Sequence, residues 1–200
     1  METVKRVYIE GGGNNYQHMF IKQGWEIATE MYDVDLVCFT GGEDVSPLLY
    51  GEARHPYTHS NRTRDMECHE LFHKCVELDI PMVGICRGSQ FLCVANGGGL
   101  WQHVDGHAVA GSHKAYDVDG GEVDVTSTHH QMMRPEGAEG VDYDILLVAN
   151  ESGYKEKMVD GKVVTILSSV GSDVEAVHWQ GTRSFGFQPH PEFPTAPISC

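Results

Sequence analysis

The sequence predicts an α/β fold of three layers around a mostly parallel central sheet, and three observations carry that prediction. Val34 to Phe39 is a short, nearly continuous apolar run, the pattern of a strand buried on both faces of a parallel sheet, and Ile80 to Val83 is a second such run. Segments with apolar residues at helical spacing lie between the runs. Gly84-Ile85-Cys86-Arg87-Gly88-Ser89-Gln90 reads as a strand entering a sharp turn and then a helix, with a cysteine at the turn.

A turn of that kind crowds the backbone, so the positions two before and two after the cysteine need to be small, and Gly84 and Gly88 fill them. The pattern matches the nucleophile elbow of G-x-S-x-G hydrolases with sulfur in place of oxygen. A thiol there sits at a helix N-terminus, where the dipole favours the thiolate. A small buried hydrophobe ahead of a helix gives the same local string, so Cys86 acquires meaning only if a base is found for it.

Composition narrows the class. Two hundred residues suffice for one domain with a substantial core, and residues 1–200 are read as one. The net charge of −15 argues against nucleic acid or an anionic membrane as the main partner, since phosphate binding needs clustered cations. Met1 to Arg6 leads straight into a strand without a secretory signal, and no apolar run is long enough to span a bilayer. Six cysteines (Cys38, Cys68, Cys75, Cys86, Cys93 and Cys200) fall mostly inside expected strands and helices, so reduced thiols in a cytoplasm are expected.

Along the chain, Val4 to Glu10 is expected as a strand ending at Gly11-Gly12-Gly13-Asn14-Asn15, a strand-to-helix turn without the lysine of a phosphate-binding loop. Tyr16 to Met31 reads as a helix through Met19, Phe20, Trp25, Ile27 and Ala28. After Val34 to Phe39, Gly41 and Gly42 at a strand's carboxyl end let the backbone approach a ligand, and their amides can point at it. Leu48 to Thr63 is expected as a surface loop or lid, and Asp65 to Asp79 as a helix packed through Met66, Leu71, Phe72, Cys75 and Leu78. That helix contains His69-Glu70-Leu71-Phe72-His73, the H-E-x-x-H string of zinc peptidases. A zinc peptidase also needs a third ligand and room for a bound water. With 12 histidines in the chain, the string is read as a solvated helix face, and neither metal nor cofactor is expected.

Beyond the elbow, Ser89 to Ala95 continues as a helix capped by Asn96-Gly97-Gly98-Gly99. Leu100 to Val104 reads as a short strand or turn, and Asp105 to Gly121 as loop. Val123 to Thr128, Tyr143 to Val148 and Lys162 to Leu167 read as strands, in one sheet or two, with Glu151 to Gly161 as a connection. Asp173 to Trp179 and Ser184 to Gln188 make a hairpin around Gln180-Gly181-Thr182. It ends in His190-Pro191-Glu192, an imidazole and a carboxylate two residues apart, suited to a base and its orienting group.

Together, the Cys86 elbow, Gly41-Gly42 and His190-Pro191-Glu192 resemble the class I glutamine amidotransferase superfamily, most closely its gamma-glutamyl hydrolase branch, which includes gamma-glutamyl-gamma-aminobutyrate hydrolases. Gly41-Gly42-Glu43-Asp44-Val45-Ser46-Pro47 is similar to that branch's glycine pair with a following acidic residue and proline. Gly84 to Gln90 resembles its G-I-C-R-G-x-Q, and Gly97 to Gln102 its G-G-x-L-x-Q. Asp65 resembles its upstream acidic residue, and Val125 to Gln131 its V-N-S-x-H-H-Q, with Thr126 where asparagine is usual. The likeness runs from about Val7 to Glu192. The eight residues after Glu192 are too few for the family's C-terminal helix.

The resemblance implies the flavodoxin-like class I glutamine amidotransferase fold. It also implies a cysteine hydrolase with Cys86, His190 and Glu192 as catalytic triad and the backbone N–H groups of Gly42 and Arg87 as oxyanion hole. Gln90, Ser127, His129 and His130 correspond to residues that shape the glutamyl-binding side. The Arg87 side chain suits either a substrate carboxylate or a structural ion pair. The implied substrate is a small gamma-glutamyl amide or glutamine. The alternative is a glutaminase that passes ammonia to a synthetase partner.

Overall fold

The computed structural model describes residues 4–108, 111–126, 128–136 and 140–193. Strand β1 (Arg6–Glu10) runs into Gly11, Gly12 and Gly13, all at positive φ, and helix α1 (Asn14–Lys22) follows. The helix expected as far as Met31 stops early. Gly24, at φ +80°, turns the chain, and Glu26–Ala28 forms β2, parallel to β1. Trp25 still packs edge-on against Phe20, so its apolar spacing serves a turn rather than a helix face.

Next come β3 (Leu36–Phe39), a 3₁₀ turn (Pro47–Tyr50), α2 (Arg62–Glu77), β4 (Met82–Ile85) and α3 (Arg87–Ala95). Asn61 caps α2 by accepting the Arg64 amide, satisfying one of the orphan donors of the first turn. The helix buries Cys68, Phe72 and Cys75, whereas Met66 and Leu78, expected in the packed face, are exposed.

The remaining strands are β5 (Gly99–Trp101), β6 (His103–Val104), β7 (Ser112–Asp117), β8 (Glu122–Thr126), β9 (Met132–Arg134), β10 (Tyr143–Ala149), β11 (Tyr154–Val159), β12 (Lys162–Leu167), β13 (Asp173–Trp179) and β14 (Ser184–Phe187). Strand β7 falls in a stretch expected to be loop, and β11 in the span left between two expected strands. Strand β7 alternates with His113 and Ala115 inward, so a histidine occupies a core position and hides the pattern. Strand β11 is mostly polar and is held by full pairing with β12.

Nine strands form one sheet in the order β2-β1-β3-β4-β14-β13-β10-β7-β8. The first five are parallel, in the flavodoxin-like order 2-1-3-4-5 with β14 in last place. The other four extend it antiparallel from β14, so the large central sheet is mixed. Strands β6, β11 and β12 make a separate small sheet, and β5 pairs with β9. The strands from Val123 to Leu167 thus divide between sheets.

Successive residues of β3 show the layering. Val37 and Phe39 pack with Phe72, Phe91 and Trp179 under α2 and α3, while Cys38 packs with Val7, Phe20 and Ile85 under α1. Among the described residues, no helix is long and apolar enough to cross a membrane.

Candidate active site

The carboxyl ends of β3, β4 and β14 meet, and the chemistry gathers there. Cys86 ends β4 at φ 52° and ψ −110°, a backbone conformation that costs a non-glycine residue about 1–3 kcal/mol. Its surroundings hold it there. The Cys86 amide donates to the Phe187 carbonyl (2.9 Å), and its own carbonyl accepts from the Ser89 amide (3.0 Å) and the Ser89 hydroxyl (2.7 Å). The flanking glycines are required by space. A Cβ on Gly84 would lie 2.4 Å from the Gly88 carbonyl, and one on Gly88 would lie 2.0 Å from the Phe39 oxygen.

Among the described cysteines, Cys86 alone is not buried. Burial pushes the Cys68 thiol up to about 11 and those of Cys75 and Cys93 up to about 12, and Cys38 is raised as well. Those four are unreactive packing groups.

His190 arrives two residues after Gln188, which follows β14 directly. Its Nδ1 lies 2.6 Å from Glu192 Oε1, its amide donates to Thr126 Oγ1 (2.6 Å), and its ring stacks on Phe193. Burial disfavours the imidazolium, but hydrogen bonds to Cys86 and Glu192 outweigh it and raise His190 to about 10. Glu192 is itself buried.

The glycine pair closes the site from β3. A Cβ on Gly41 would come within 3.0 Å of His190 Cε1 and 3.7 Å of Cys86 Cβ, so this loop lies directly against the cysteine and histidine. Two residues not anticipated from the sequence hold it. The Tyr16 hydroxyl accepts the Gly41 amide (2.9 Å) and also neighbours Glu192. Arg64 donates to the Gly41 carbonyl (2.9 Å) and to Thr40 Oγ1 (2.9 Å) while paired with Glu10 (3.2 Å). Arg64 excludes any side chain at Gly42, where a Cβ would meet its Nη1 at 2.0 Å. Gly13, Tyr16, Gly41, Gly42, His190 and Glu192 are among the walls of a cleft of about 380 Å³, a size suited to a small ligand.

The other anticipated residues have different surroundings. The Arg87 side chain is buried on Asp65 and Cys68 Sγ, and Asp65 also accepts the Ser46 amide, so it forms a structural ion pair. Gln90 is buried and donates to the Gln131 carbonyl and to Gln188 Oε1. His129 is buried on the Gln131 carbonyl, and His130, half-buried, meets Asp44 at 3.0 Å. None of these three lines the cleft beside His190. Ser127 lies outside the described residues. His69 and His73 face one another on α2 with Nε2 atoms 3.3 Å apart, and no third donor joins them among the described residues.

A cysteine elbow at the carboxyl end of a flavodoxin-ordered sheet, with a His–Glu pair brought beside it from the neighbouring strand, defines a class I glutamine amidotransferase-like protein. The chain belongs to the Peptidase C26 family, whose model matches residues 18–192. It is 33% identical over 135 residues to a Mycobacterium tuberculosis protein provisionally named a glutamine amidotransferase, covering 56% of this chain and 44% of that one. It is 31% identical over 124 residues to the carbamoyl phosphate synthase small chain of Salmonella typhimurium, covering 62% and 27%. The chain thus spans less than half the length of these relatives. A glutamine amidotransferase from Thermotoga maritima shares the fold, with a TM-score of 0.63, 14% identity, and coverage of 96% of this chain and 77% of that one.

Proposed function

We propose that the chain is a cysteine hydrolase that cleaves the amide bond of a gamma-glutamyl substrate through a glutamyl-thioester intermediate. The observation that carries this reading is the His190–Glu192 pair, joined through Nδ1 at 2.6 Å, with the Gly41 backbone lying against both His190 and the partly accessible Cys86. The raised His190 supplies an imidazolium beside the sulfur at neutral pH, the kind of neighbour that activates a cysteine nucleophile.

In this mechanism the Cys86 sulfur attacks the side-chain carbonyl carbon, and the oxyanion rests on the amides of Gly42 and Arg87. Because the Gly41 amide is engaged by Tyr16, the next amide in the loop takes that role. Losing one such donor costs about 10²–10³ in rate. The imidazolium of His190 gives its proton to the leaving nitrogen, and ammonia or an amine departs. His190 then takes a proton from water, which attacks the thioester and releases glutamate and the thiol. Glu192 fixes the tautomer throughout. Gln90, Ser127, His129 and His130 are assigned to the glutamyl-binding side from the family motifs they match.

The Gly41-to-Pro47 signature favours a stand-alone hydrolase. A second reading, a glutaminase delivering ammonia to a synthetase, is favoured by the similarity to a carbamoyl phosphate synthase small chain. The test is amine release from a panel of gamma-glutamyl amides beside ammonia release from glutamine, without any partner. Cysteine-dependent turnover of an amide, with glutamine poor, supports the hydrolase. Turnover of nothing without a synthetase supports the second reading. Full activity in Cys86→Ala overturns both.

A further inference from the structure

Behind His190, three histidines converge on one carboxylate. Glu175 of β13 is fully buried, and its main-chain carbonyl accepts the amide of Gln188, two residues before His190. Glu175 Oε1 lies 3.0 Å from His113 Nε2, 3.3 Å from His107 Nδ1 and 3.7 Å from His129 Nε2. All four side chains are at most 3% exposed.

Outer partners orient both imidazoles. His129 Nδ1 lies 3.0 Å from the Gln131 carbonyl oxygen, which can only accept, so Nδ1 holds the hydrogen. The lone pair of His129 Nε2 then faces Glu175, and that atom has no hydrogen-bond partner. His107 Nε2 lies 3.0 Å from Asp173 Oδ2, and Asp173 is held as an anion by Lys155 and by the amides of Glu151 and Ser152. The other ring nitrogen of His107, Nδ1, is turned toward Glu175. Two imidazole nitrogens and a carboxylate thus converge in a dry interior, where a buried charge needs a partner.

We propose that His107, His129 and Glu175 bind a first-row divalent cation of the zinc type, a buried brace behind the active-site histidine. These three residues offer ligand atoms that all lie within 4.8 Å of one another. Atoms bound at about 2.0–2.1 Å to a tetrahedral ion sit about 3.3 Å apart, close to the spacings from Glu175 to the two imidazoles. Imidazole and carboxylate together suit zinc and its neighbours in the series. Each ligand also has the outer partner that metal sites use: Asp173 behind His107, the Gln131 carbonyl behind His129, and His113 donating to Glu175. The H-E-x-x-H string on α2 is a different, exposed place.

The test uses the full chain carrying His69→Gln and His73→Gln, so that the exposed pair cannot contribute. The protein is stripped with chelator, incubated with zinc chloride, desalted and assayed for metal by mass spectrometry. Stoichiometric zinc is expected, with X-ray absorption showing two imidazoles and an oxygen donor, and a higher Tm than the stripped form. Glu175→Gln, nearly isosteric, is expected to lower retention at least about tenfold, and Asp173→Asn to weaken affinity about 10–100-fold. If Glu175→Gln does not fold, Asp173→Asn and the absorption spectrum still decide. Failure to retain zinc, cobalt or manganese overturns the proposal, as does a spectrum without two imidazoles or unchanged affinity in Asp173→Asn. None of these readouts depends on the hydrolase reading.

Discussion

The hydroxyl of Tyr16 stands 2.9 Å from the amide nitrogen of Gly41, joining the first turn of α1 to the loop against Cys86 and His190. The same hydroxyl borders Glu192, which with burial raises the phenol well above its ordinary range, so it stays protonated and can donate to that carboxylate. Tyr16→Phe is expected to lower kcat about tenfold or more by loosening the loop while leaving KM within a few-fold. Steady-state kinetics on the substrate found active provide the check.

His190 sets the pH dependence. It is raised to about 10 in the folded chain, against about 6.5 when unfolded, so the imidazolium persists through neutral pH. The stability it contributes is complete below about 6.5 and disappears as pH rises through about 10. Both kcat/KM and the thermal midpoint are expected to decline on the alkaline side, with activity lost near pH 10.

Glu192→Gln removes one of the two groups that raise His190. The alkaline limb is expected to move to lower pH, and kcat to fall about 10²–10⁴-fold with little change in KM. Iodoacetamide alkylation of Cys86 across pH reads the same shift without turnover.

The glycines separate folding from chemistry. Gly88→Ala would force a Cβ against the Phe39 backbone and is expected to cost about 3 kcal/mol or more in urea unfolding. At Gly41, by contrast, the first atoms met belong to the Tyr16 and His190 side chains, which can move. Gly41→Ala is therefore expected to fold and to lose about 10²-fold in kcat through displacement of the imidazole.

Arg87→Met would leave Asp65 buried and unpaired, which costs about 3–5 kcal/mol. Adding Asp65→Leu is expected to restore most of that loss. An increase in KM without loss of stability would instead assign Arg87 to a substrate carboxylate.

Legibility in the sequence followed the range of the forces involved. The elbow could be read because the small-residue demand at Gly84 and Gly88 acts within a few positions of Cys86, and His190-Pro191-Glu192 because its hydrogen bond spans two residues. The end of α1 was missed although Gly24 marks it, since Trp25, Ile27 and Ala28 continued an apolar spacing. Strand β7 was hidden because its inward His113 owes its burial to Glu175, 62 residues away. The surroundings of Gln90 were equally out of reach, being set by Gln188, 98 residues on. Tyr16 and Arg64 carry no motif, and only the folded approach of α1 and α2 to the strand ends gives them their partners.

The short stretch from Phe187 to Glu192 has an unusual number of obligations. Phe187 fastens the cysteine turn on one side, Gln188 fastens Glu175 on the other, and His190 reaches both Thr126 and Glu192. The spacing of all these groups is metered by a single run of peptide units rather than by independently placed loops. Side chains along it can be exchanged one at a time, but one extra or missing residue would put every attachment out of step together. Over evolution, this segment should tolerate substitution far more readily than any change of length.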